Sequence, residues 1–131
     1  MKVEELMIGD WIFDGDNVAQ ITGITCDGII ETTVTETSNI EVIEPIPLTP
    51  EILEKNGFEN IRDNEVFLLK KLSVNVYLGI YLDKDSINIY LQNNDTESWP
   101  GYEYYDLFII KYVHELQHAL RLYNIDKEIV L

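Results

Sequence analysis

The chain predicts an α+β fold, and three observations carry that prediction. Short β-branched segments separated by turn residues fill residues 1–48. A proline-marked helix start follows at residues 49–50. Alternating strand patterns then lead into one well-patterned helix near the C-terminus. The expected architecture is a β-rich N-terminal half, a short helix, and an antiparallel sheet with a C-terminal helix. The N-terminal half reads as a small bent sheet or a Src-homology-3-like partial barrel. The expected organisation is a β-rich acidic half, residues 1–48, and an α+β half, residues 49–131, forming one structural unit.

In chain order, Trp11-Ile12-Phe13 is extended and is followed by the tight-turn composition Asp14-Gly15-Asp16-Asn17. Residues 18–23 alternate weakly as a strand. Cys26-Asp27-Gly28 suits a hairpin, because Asp-Gly accepts the positive backbone angles of a two-residue loop. Residues 29–35 are β-branched almost throughout and predict a strand, as do residues 40–43. Glu44-Pro45-Ile46-Pro47 predicts an extended connector, since proline disfavours helix in the residue before it. Thr49 is placed to cap a two-turn helix with Pro50 at its first position. Leu48 can staple onto Leu53, and Gly57 with Phe58 can close the far end. Strands are expected at residues 65–69, 73–82 and 87–91, a long polar and aromatic loop at 92–103, and a short strand at 107–110.

Composition narrows the function. Hydrophobic residues make up 46% of the 131-residue chain, enough to bury a core. No run approaches the roughly 18 apolar residues of a membrane span. Met1-Lys2-Val3-Glu4-Glu5 has two acids where a signal peptide has a basic start and an apolar core, and Cys26 is the single cysteine, so a cytoplasmic setting is expected. The net charge of −15 is uneven: residues 1–65 carry 15 acids and 3 bases, residues 66–131 carry 9 and 6. Direct nucleic-acid binding is not expected, because phosphates need Lys and Arg. An acidic surface is ordinarily a solvated face. The sharper reading is a face that docks a basic protein partner, or one that mimics DNA in a basic groove.

The one sharp motif is His114-Glu115-Leu116-Gln117-His118, the H-E-x-x-H spacing of zinc peptidases. On a helix the two histidines share a face and could hold zinc, with Glu115 activating its water. A catalytic zinc also needs a third protein ligand. The extended metalloprotease pattern would place Gly at 121 and His at 124, where Arg121 and Asn124 stand. By chance the motif arises in on the order of one chain in 300 of this length. The expectation is therefore structural: Val113, Leu116, Leu120 and Tyr123 form the core stripe, widened by Tyr112 and Ala119. His114, Glu115, Gln117, His118 and Arg121 then read as a solvated or rim face, with Glu115 supporting the helix start. No catalytic residue, metal ligand or cofactor is assigned, with Glu115, His114, His118 and zinc as the alternative set. The loop aromatics Trp99, Tyr102 and Tyr104 are the candidate partner-binding residues, because aromatics on a loop often anchor a partner.

Residues 45–58, Pro-Ile-Pro-Leu-Thr-Pro-Glu-Ile-Leu-Glu-Lys-Asn-Gly-Phe, and Tyr112-Val113-His114-Glu115-Leu116-Gln117 resemble a family of small uncharacterised proteins from Bacteroidetes and their phages and mobile elements. The opening Leu6-Met7-Ile8-Gly9-Asp10-Trp11 is similar too, so the resemblance spans most of the chain. It implies a closing Tyr-Val-His-x-Leu-Gln core in which Glu115 and His118 are not required, and a bacterial, prophage-linked, cytoplasmic setting. It brings no activity with it. The expected role is a non-enzymatic accessory protein that binds through its acidic face; the alternative is a zinc-dependent, peptidase-like hydrolase built on the helix.

Overall fold

The computed structural model describes residues 2–35, 38–63, 65–73, 76–82, 87–93, 103–122, 125 and 127–131; for 62, 68–73, 76–77, 91–93 and 103–108 it describes the backbone. The fold is α+β, as predicted. It has a four-stranded and a five-stranded antiparallel sheet, a short helix and a longer C-terminal helix, with no closed barrel among the described residues. The chain divides into two compact units. The first comprises residues 1–47 and 112–124, the second residues 48–111 and 125–131. The C-terminal helix, which follows the second sheet in sequence, thus belongs with the first.

The first unit holds β1 (Trp11–Asp14), β2 (Asn17–Ile24), β3 (Ile30–Thr32) and β4 (Ile43–Pro45), in the order β3-β2-β1-β4. Asp14 opposite Asn17 closes a two-residue hairpin, and Gly15 supplies the positive φ of 62° that it requires. The 25–29 connection is wider than Asp-Gly alone suggests. The Thr25 N–H donates to the Ile29 carbonyl and the Gly28 N–H to the Thr25 carbonyl, with Gly28 at a φ of 81°. This is a three-residue loop ending in a left-handed glycine. Ile12, Ala19, Ile21, Ile30 and Ile43 bury one core together with Leu6.

Two β-branched stretches behave differently from their propensity. β3 stops at Thr32 because that side chain turns the chain: its Oγ accepts the N–H groups of Val34 and Thr35 at 3.1 and 3.0 Å. Residues 40–42 form a 3-10 turn, capped by the Asn39 side chain accepting the Glu41 N–H. The stretch read as a connector then pairs: β4 lies against β1, with Pro45 opposite Ile12. As β4 is an edge strand, its proline removes no ladder bond on the free side. The helix α2 (Val113–Leu122) is tied to this unit by the Val113 N–H donating to the Ile46 carbonyl and by a bridge between Pro47 and Tyr112.

The second unit begins with α1 (Pro50–Lys55), which Thr49 caps by accepting the Ile52 N–H. Its end is a Schellman closure: the Phe58 N–H reaches the Leu53 carbonyl, the Gly57 N–H reaches the Glu54 carbonyl, and Gly57 has a φ of 84°. Leu53 and Phe58 are both buried, as the sequence required. Asn56 ties this end to the C-terminal segment, donating to the Val130 carbonyl and accepting the Val130 N–H. A meander follows: β5 (Glu59–Arg62), β6 (Val66–Ser73), β7 (Val76–Leu82), β8 (Ile87–Asn93) and β9 (Glu103–Ile110). β5 was not anticipated, because Glu-Asn-Ile-Arg has no apolar alternation; it is a polar edge strand recruited by β6. β9 is longer than the predicted 107–110, since residues 103–106 pair along β8. Gly79 faces Tyr90 across the β7–β8 ladder, and the Tyr90 ring fills the space where a Cβ would stand.

Candidate functional site

The motif helix α2 has two buried faces. Val113, Leu116, Ala119 and Leu120 form the expected apolar stripe and are all buried; Tyr123 lies outside the described residues. The face read as solvated or rim is corrected at two positions, while Glu115 and His118 are part-buried and Arg121 is exposed. His114 is 4% exposed and Gln117 8%. The reason is a polar seam between α2 and residues 7–11, all within the first unit. The Gln117 side-chain oxygen accepts the Trp11 N–H at 2.8 Å and its amide donates to the Gly9 carbonyl at 2.9 Å. Arg121 donates to the Ile8 carbonyl at 3.0 Å, from the one position in this face that remains exposed.

Asp10 sits at the centre of this seam and is fully buried. Its carboxylate accepts the Met7 N–H at 2.8 Å and lies 2.7 and 2.9 Å from Nε2 of His118, with an Arg121 nitrogen at 3.7 Å. A carboxylate only accepts, so Nε2 of His118 carries the proton in this contact. A buried carboxylate needs such partners, because its desolvation is otherwise unfavourable by several kcal/mol, of order ~5. The same logic recurs at Asp14, buried in β1, whose carboxylate accepts the hydroxyls of Thr32 and Ser38 at 2.8 Å each.

The remaining motif residues also have structural tasks. A Glu115 carboxylate oxygen accepts the Tyr112 N–H at 3.1 Å, which is the returning half of a capping box. The predicted support of the helix start by Glu115 is thus made by a direct hydrogen bond. His114 stacks on Tyr112 with ring centroids 5.8 Å apart and meets His118 edge-on at 5.5 Å. Its Nδ1 is buried without a hydrogen-bond partner among the described residues. Its pKa is lowered below 6.5 chiefly by desolvation and secondly by His118, against the opposing pull of Asp10, Glu115 and Glu5. The imidazole is therefore held neutral in a negative field.

His114 and His118, with Glu115, Tyr112, Lys2, Glu5 and Pro45, line a cleft of about 810 Å³ in the first unit. The structure brings the two histidines together as the spacing predicted. Among the described residues, no three His, Cys, Asp or Glu side chains are grouped so as to hold a metal ion. His118 donates its Nε2–H to Asp10, which leaves Nδ1 as the unprotonated ring nitrogen of the neutral imidazole.

Of the partner-binding candidates, Trp99 and Tyr102 lie outside the described residues, and Tyr104 stands opposite Gln92 in the β9–β8 ladder with only its backbone described. Sequence reasoning missed Asp10. A usable signal was present on the helix: His114, Gln117, His118 and Arg121 recur at i, i+3, i+4 and i+7, the same periodicity as a core stripe but written in polar residues. Among the described residues, no helix is long and apolar enough to cross a membrane. The chain matches no family model, no curated protein and no solved structure.

Proposed function

We propose that this chain is a non-enzymatic accessory protein that binds a basic protein partner through the acidic first unit. The observation that carries this reading is the distribution of charge. The residues of the first unit include 11 acids and 2 bases, against 13 and 7 in the second. Glu4, Glu5, Asp16, Asp27, Glu31, Glu41 and Glu44 are all exposed. Such a surface raises the encounter rate with a cationic partner and repels nucleic acid. The occupation of Glu115 by helix capping supports a structural use of the H-E-x-x-H residues. A bacterial, prophage-linked, cytoplasmic setting accords with the resemblance of residues 45–58 and 112–117.

The test is association of the purified chain with Lys- and Arg-rich peptides, followed by calorimetry across ionic strength. The expected result is binding that weakens steeply as salt rises, because the Debye length shortens from about 30 Å at 0.01 M to about 8 Å at 0.15 M. No binding at low salt overturns the reading. The alternative, a zinc hydrolase, rests on the edge-on pair of His114 and His118. About one equivalent of tightly held zinc in untagged protein, lost in His118→Ala, would favour it over the binding role.

A further inference from the structure

We infer that the cleft at the start of α2 is an arginine pocket, the point at which a basic partner inserts one guanidinium group. The inference rests on the acidic-face reading above and narrows it to a site. Two carboxylates line the cleft: Glu5, from the N-terminal turn, and Glu115, from the helix, each accepting one backbone N–H, from Lys2 and Tyr112 respectively. The floor holds His114, 4% exposed, with Nδ1 unpartnered among the described residues. A buried polar atom left without a partner is unfavourable, and native structures retain few of them. A ligand that offers hydrogen bonds at this floor would relieve that deficit.

The chemistry selects a cation. Asp10, Glu115 and Glu5 together favour positive charge at His114, while desolvation keeps the imidazole from supplying it. The site therefore has a negative potential and a neutral floor, which a bound cation completes. Tyr112 and His114, whose rings stack within 9° of parallel, both line the cleft and give it an aromatic lining. A guanidinium fits both features, since it stacks on aromatic faces and presents a planar fork to carboxylates, whereas an ammonium does neither as well. The cleft volume of about 810 Å³ lies in the range of ligand pockets and admits a long side chain. Lys2, which is exposed, is the one cation lining the cleft among the described residues, and its flexible side chain can swing aside.

The experiment compares two peptides of equal length and charge, one rich in arginine and one in lysine, against the full chain and two variants. Glu5→Gln removes a carboxylate of the cleft. Glu41→Gln removes an exposed carboxylate that does not line the cleft. The expected result is roughly tenfold preference for the arginine peptide, lost largely in Glu5→Gln and retained in Glu41→Gln. Because the chain has only two histidines, their ring signals in NMR are separable, and the His114 signals should move on titration with the arginine peptide. Equal binding of both peptides, with both variants equally weakened, would overturn the pocket while leaving the acidic face in place. No binding of either peptide would overturn the pocket and the acidic-face reading together.

Discussion

The two units are held by different kinds of interior. In the first, Asp10, Asp14, Thr32, Ser38, His114 and Gln117 are buried beside the aliphatic core; in the second, Asn56 is the one buried polar side chain among the described residues. The second unit is a run of hairpins in which each strand pairs with its neighbour in sequence. Its described strands β7 and β8 follow from local alternation. The first unit must instead attach a helix from residues 113–122 to a loop at residues 7–11, more than 100 positions away. Apolar burial alone is non-directional and would tolerate a helix that slid or rotated. Hydrogen bonds from Gln117, His118 and Arg121 to four consecutive residues, Ile8 to Trp11, fix one register. In the first unit, polar burial thus serves where long-range placement has to be unique; among the described residues of the meander unit only Asn56 is buried in this way.

The largest expected effect tests that idea directly. Asp10→Ala leaves the Met7 N–H and the His118 ring nitrogen without their acceptor and should destabilise the first unit by about 3 kcal/mol. Denaturant titration gives the size, and amide exchange shows where protection is lost. Loss confined to β1–β4 and α2 supports two differently built interiors. Equal loss through β7 and β8 would break the comparison, because the units would then open as one.

The counterpart in the second unit is Gly79→Ala. The new methyl would meet the Tyr90 ring, so the ring must tilt out of its place over the strand. The expected cost is about 1–2 kcal/mol, near the lower end of overpacking effects because the obstructing atoms are the far end of a side chain. Near-ultraviolet dichroism should report the displaced tyrosine. A larger loss than in Asp10→Ala would reverse the ranking of the two interiors.

The smallest effect concerns pH. Burial lowers the pKa of His114 in the folded chain, so the unfolded chain binds its proton first as pH falls. Stability contributed by the neutral ring is present above 6.5 and is lost as pH drops from there toward the lowered folded value. His114→Leu should flatten this segment of the stability–pH curve and be near neutral or slightly stabilising at pH 8, since it also removes the unpartnered Nδ1. A curve that keeps its slope in the variant would assign the acid sensitivity to other groups.

Much of the fold was legible because its signals are local. The Thr49–Pro50 start and Gly57–Phe58 end of α1 were readable, since capping requires particular residues at particular offsets. β7, β8 and the apolar stripe of α2 were readable from periodicity. Residues 29–35 and 40–43 misled, because Thr32 and Asn39 side chains compete with the ladder for backbone groups and curl both stretches. β5 left no pattern because an edge strand can be polar on both faces.

The sequence by itself determined the α+β class, the ends of α1, the core stripe of α2 and the excess of acid, because each depends on residues close together in the chain or on composition alone. Tertiary structure decided what the H-E-x-x-H residues do. Glu115 turns back to the Tyr112 N–H, Gln117 bonds to residues 9 and 11, and His118 meets Asp10. Those partners are chosen by which buried groups lack hydrogen bonds once the core has closed, and that deficit exists only in three dimensions.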